Sequence, residues 1–179
     1  MCPRYLSAFT DPAQIKMLGR FVSPFSMLRR VQLEAVESPF VVPGKDVRPL
    51  DLLIAVKICA GEPIHKLSLK DYFYLSRLSH SETYFVKQMS RFSDFVLIES
   101  WPKFWEKTAK HHNSTGLPWM LTVVCNLMAH GVSEDRAWTM PESQAIWLHS
   151  CFAISNGADM KVLTKEDEDL IAKLETENA

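Results

Sequence analysis

Glycine is scarce in this chain, six residues in 179, and each stands alone. A phosphate cradle needs clustered glycines that let backbone donors approach the anion, so a standard nucleotide-binding loop is excluded. Cysteine is equally thin: Cys2, Cys59, Cys125 and Cys151 are scattered with no CxxC pair, neither a disulfide framework nor a zinc-knuckle spacing. Charge of one sign is not in excess either. Twenty Lys and Arg face 21 Asp and Glu, a formal net of −1, so no global basic field would gather nucleic acid or an anionic membrane. The most apolar runs, residues 50–59 and 119–128, are half the roughly twenty residues a bilayer-spanning helix takes. No GxSxG elbow or HExxH pair occurs. The opening "MCPRYLSAFTDPAQ" has no apolar stretch of signal-peptide length, so a reducing cytosol is the expected setting and the Asn113-Ser114-Thr115 sequon is not expected to be used.

What is present is apolar mass and helix punctuation. At 47% hydrophobic residues, the chain can bury a core of its own. Asp11-Pro12 predicts a short helix to about Phe21, and a second is expected from Phe25 to Glu37 with Met27, Val31 and Leu33 or Ala35 inward. Pro43-Gly44 predicts a turn, with Phe40 to Val42 the one credible extended segment. Pro49 to Ala60, closed by Gly61, reads as a buried helix. Ser68 with Asp71 forms a capping-box pattern opening the next helix, and Ser81 caps the longest. In that longest helix Phe85, Met89, Phe92 and Val96 lie along one stripe, with Lys87, Gln88, Arg91 and Asp94 opposite.

Pro102 should kink or restart the helix, and helical spacing would then put Trp101, Phe104 and Trp105 on one side. Further helices are expected from Pro118 to Gly131, over "EDRAWTM" after Ser133, and from Pro141 to Asn156-Gly157, the last with Ala145, Leu148, Cys151 and Phe152 inward. Thr164 and Asp167 cap a final helix. Residues 158–179 hold seven acids and three lysines, a net of −4, which suits a solvated helix or tail able to pair with a basic neighbour. The expected fold is all-α: one compact domain, residues 1–157, of about seven or eight short helices, at most one short extended segment near residues 39–43, then the acidic end 158–179.

The stretch "ESWPKFWEKTAKHHNSTGLPW" gathers three tryptophans, a phenylalanine and two histidines. Tryptophan buries much area at small entropic cost and is favoured at interfaces. Trp101, Phe104, Trp105 and Trp119 therefore close the core around the proline or form a protein-binding patch rimmed by Lys103, Lys107 and Lys110. The same lysines between rings could stack single-stranded nucleic acid, though without the arginines such a surface favours. Adjacent rings at His111 and His112 diverge, unsuited to joint metal ligation. A four-ligand site from Cys125, His130, His149 and Cys151, metal- or thiol-dependent, requires their two helices to pack together. Cys59 and Cys125 lie in apolar helices, where burial would make a thiol inert. No catalytic, cofactor-binding or metal residue is assigned, and no enzyme activity or small-molecule substrate is expected.

Two segments carry a resemblance. "GVSEDRAWTMPESQAIWLHSCFAISNG", residues 131–157, resembles the closing helices of small tailed-bacteriophage proteins encoded among the tail genes. "LEAVESPFVVPGKDVRPLDLLIAVKICAG", residues 33–61, is similar to such proteins in its order of helix, "SPF" turn and buried helix. Together they cover about a third of the chain. The resemblance implies a tail or baseplate component, or a chaperone holding tail proteins before assembly. Its partners would be other phage structural proteins or copies of itself, in the host cytoplasm during assembly or in the virion, and the resemblance brings no catalytic residues. From the short apolar runs and the balanced charge no membrane is expected and nucleic acid is an unlikely partner.

Overall fold

The computed structural model describes residues 3–10, 14–97, 101–105 and 116–177. The chain is mostly helical, as expected, with one two-stranded sheet among the described residues. Its contacts divide it into two compact units, residues 13–98 and residues 1–12 with 99–179.

In the unit formed by residues 13–98, the expected helix ending at Phe21 is replaced by an antiparallel hairpin, β1 (Ile15–Met17) with β2 (Arg20–Val22). Leu18 and Gly19 form its two-residue turn with φ of 45° and 68°. Positive φ at both central positions is what a turn matching the twist of a hairpin requires. Met17, Arg20 and Val22 are buried while Lys16 and Phe21 face out, the alternation of a strand covering a core on one side. The expected extended segment at 39–43 is instead a set of turns, where the Ser38 carbonyl accepts the amides of Val41 and Val42.

Around the hairpin stand α2 (Met27–Ala35), α3 (Pro49–Cys59), α4 (Leu69–His80) and α5 (Glu82–Val96). Their ends follow the predicted signals. Ser68 accepts the Asp71 amide while Asp71 accepts the Ser68 amide, Ser81 accepts the Tyr84 amide, and Gly61 turns past α3 at φ 76°. The core is built from Leu52, Leu53, Val56, Leu33, Phe25, Phe92 and Phe95 among others. On α2, Met27 and Leu33 are buried as expected but Ala35 is exposed. On α5 the stripe holds at Phe92 and Val96, yet Gln88, expected on the wet side, is buried. Phe95 is buried too, so the covered face of α5 is wider than one stripe.

The other unit contains α1 (Pro3–Thr10), α6 (Trp119–Ala129), α7 (Glu134–Thr139), α8 (Glu142–Ser155) and α9 (Lys165–Glu177). Helix α1, which carried no sequence signal we recognised, lies on α8: Tyr5 meets Trp147 edge-on at 5.7 Å and the Ala8 carbonyl accepts Gln144 at 3.0 Å. Helix α8 also packs on α6. Covered on more than one side, it buries Glu142, Ser143, Ala145, Trp147 and Ser150. Of the face predicted for it, Ala145 is buried, Leu148 and Phe152 are half-buried, and Cys151 is exposed. No helix among the described residues is long and apolar enough to cross a membrane.

Candidate functional site

The tryptophan segment is not helical where the structure describes it. Residues 101–105 run extended, and Phe104 pairs antiparallel with Val162. The Trp105 amide donates to the Lys161 carbonyl at 3.0 Å, and the Leu163 amide to the Lys103 carbonyl at 2.8 Å. Helical spacing therefore does not set the directions of Trp101, Phe104 and Trp105. Pairing with 161–163 does, because a strand-like segment sends successive side chains to opposite faces. Lys107, Lys110, His111, His112 and the sequon lie outside the described residues.

All four predicted aromatics fall in one unit with partial exposure. Trp101 and Phe104 are half-buried, while Trp105 and Trp119 are exposed at 39% and 42%. Trp101 and Trp119 meet edge-on at 5.8 Å, a favoured ring geometry. Lys161 Nζ stands 5.8 Å from the centre of the Trp105 ring, within cation–π reach. Asp167 accepts the Thr164 amide and hydroxyl, each at 2.9 Å, and returns its own amide to that hydroxyl, the reciprocal cap predicted for α9. The Thr164 backbone and side-chain bonds, with smaller contributions from the Lys161 charge and then Trp105, hold the Asp167 carboxyl below its ordinary range. The acidic helix thus starts from a segment locked to the tryptophans. Beside it a groove of about 740 Å³ runs along Tyr5, Trp147, Val162 and Leu163, edged by Thr164, Lys165, Glu166 and Asp169.

The Cys125, His130, His149 and Cys151 set is placed differently. Helices α6 and α8 do pack together, but among the described residues no three His, Cys, Asp or Glu side chains gather around a common point. Asn126 and Asn156 engage the histidines instead. His130 Nδ1 lies 2.8 Å from the Asn126 carbonyl, which makes that nitrogen the donor and leaves Nε2 to accept from Asn156 at 3.3 Å. The His130 ring also stacks on Phe152 at 4.1 Å. Asn126 Nδ2 donates to His149 Nδ1 at 2.8 Å, and burial pushes the His149 pKa down, favouring the neutral ring. Cys125, expected to be buried, is exposed, because α6 turns Val123, Val124 and Leu127 inward and Cys125 outward. Cys59 is buried as expected, and desolvation pushes its thiol up to about 12.

Sequence reasoning missed the most polar feature of the core. In the hairpin unit Asp71, fully buried, binds Arg20 Nη2 through Oδ1 and Lys57 Nζ at 2.8 Å through Oδ2. Arg20 continues to Glu62 at 2.8 Å and to the Leu18 carbonyl at 3.1 Å, and Lys57 to the Lys66 carbonyl at 2.7 Å. Burial alone would raise the Asp71 pKa, but the bonds from Lys57, the Ser68 amide and Arg20 outweigh it and hold the carboxyl well below the usual range. The signal available was Lys57, a lone cation inside an otherwise apolar run, which must find an acid when buried. Each donor nitrogen of Arg20 and Lys57 has a partner within the protein, so the cluster ties β2, α3 and α4 together.

Comparison with family models, with curated proteins and with solved structures finds no match to this chain.

Proposed function

We propose that this chain is a non-enzymatic structural or assembly protein of a tailed phage, a tail or baseplate component or a tail-assembly chaperone. It would act by binding other phage structural proteins or copies of itself, in the host cytoplasm during assembly or in the virion. The observation that carries the reading is the tryptophan surface. Trp105 and Trp119 stay exposed although their backbone is fixed by pairing to 161–163 and by the start of α6. Half-exposed aromatics on a fixed backbone supply contact area at small ordering cost, as a protein-binding patch requires. The resemblance of residues 33–61 and 131–157 to tail-gene products supports the phage setting.

The test is co-expression of the tagged chain with the products of its neighbouring genes, followed by affinity capture and mass spectrometry. A tail protein retained by the unaltered chain and lost from a Trp105→Ala/Trp119→Ala double variant that still folds is the expected outcome. Failure to retain any tail protein overturns the proposal.

A further inference from the structure

The two units differ in charge. Residues 13–98 carry twelve Lys and Arg against eight Asp and Glu, a net of +4, and the remaining residues carry eight against thirteen, −5. Each unit also shows an apolar surface of its own shape. On α4, Leu69 is 90% exposed, and Tyr72 and Phe73, one turn on, are 58% and 62% exposed. Residues i, i+3 and i+4 share a helix face, so these three form one ridge. Lys66, Lys70 and Arg77, all exposed, lie along the same stretch. In the other unit the groove beside α9 is lined by apolar residues that include Trp147 and Leu163, and its charged lining is Glu166 and Asp169 with the single cation Lys165. A convex apolar ridge with basic flanks and a concave apolar groove whose charged lining is acidic by one are complementary in shape and in the sign of their net charge.

We propose that the α4 ridge of one copy docks into the α9 groove of a second copy of this chain. This rests on the reading of the chain as an assembly protein and deepens it by naming the partner and both surfaces. Ridge and groove are different patches, so the junction is heterologous and repeats head to tail, closing into a ring or continuing as an open series. A contact made by one short ridge with charged flanks associates weakly and depends on salt.

The test is sedimentation velocity of the full chain over a concentration series at low and high salt. The unaltered chain is expected to self-associate at about 10–100 µM and to dissociate as salt rises. Leu69→Asp, at a position the fold leaves in solvent, should be monomeric, and so should Glu166→Lys/Asp169→Lys. Mixed together, these two variants should pair one to one, because one keeps its groove and the other its ridge. Circular dichroism checks that each is folded, and Leu69→Ser replaces Leu69→Asp if the aspartate disturbs α4. A monomer throughout the series, self-association undiminished by the ridge variant, or failure of the mixture to pair overturns the proposal. Failure here with a tail protein still captured by the Trp105 and Trp119 surface removes only the self-docking. Self-association with no tail protein captured removes the phage assignment and leaves the junction standing.

Discussion

The hairpin unit and the tryptophan unit treat their difficult side chains in opposite ways. The first takes charge inside: Arg20, Lys57 and Asp71 are all nearly inaccessible, and each charge is met by an opposite one. The second leaves apolar rings partly outside, with Trp105 and Trp119 about two-fifths exposed on a fixed backbone. Burying charge is costly and tolerates no missing partner, whereas exposing a ring costs little and keeps it available. The contrast locates structural necessity in the first unit's core and one interaction surface on the second unit, in addition to the α4 ridge that the first unit exposes.

The strongest way to break this contrast is to remove the shared acid. Asp71→Ala leaves two buried cations facing each other and should cost about 3–5 kcal/mol in urea-induced unfolding. A loss under about 1 kcal/mol would mean that the cluster is hydrated and the contrast is wrong. Acid should act on the same group. With the folded pKa of Asp71 held down, its contribution is full above the ordinary carboxylate range near 4 and is lost as pH falls below it. In the tryptophan unit the lowered pKa of His149 makes the unfolded chain take up a proton first. Stability should therefore already decline as pH drops below about 6.5. Unfolding midpoints measured across pH should show both phases, with His149→Gln removing the upper and Asp71→Ala shrinking the lower, to which Asp167 also contributes.

Next in size is Leu127→Ala, which empties a fully buried site on α6 and should cost about 2–5 kcal/mol by the same measurement. Trp119→Ala sharpens the comparison. It removes an edge-on ring partner and should cost only about 1 kcal/mol, yet abolish capture of a protein partner. A large stability loss would mark Trp119 as core rather than surface. Smallest is Lys45→Ala: the Lys45–Glu37 ion pair is exposed on both sides, so the melting temperature should not move measurably.

How much of this was legible depends on the range of the interaction. The caps at Ser68–Asp71, Ser81 and Thr164–Asp167 and the turn at Gly61 were readable because each is completed within a few residues. The hairpin was not. Its turn rests on Leu18 adopting a positive φ beside Gly19, an uncommon state for leucine that no turn signal announces. Its buried Arg20 hides the alternation by placing a charge on the inward face. Arg20 with Asp71 and Phe104 with Val162 join residues far apart in the chain, and local pattern carries no trace of such pairings. The tryptophan residues were named from composition, but the extended backbone that orients them comes from residues 161–163, which drew notice only for the acids that follow.

Cys59 gives the hairpin unit a built-in clock. Its thiol is sealed in the core and pushed up to about 12, so an alkylating reagent at neutral pH reaches it only when that core opens. In a chain where it is the sole remaining thiol, the labelling half-life would time the openings around Cys59 without denaturant. A bound partner that slowed the labelling would be one that holds this core closed.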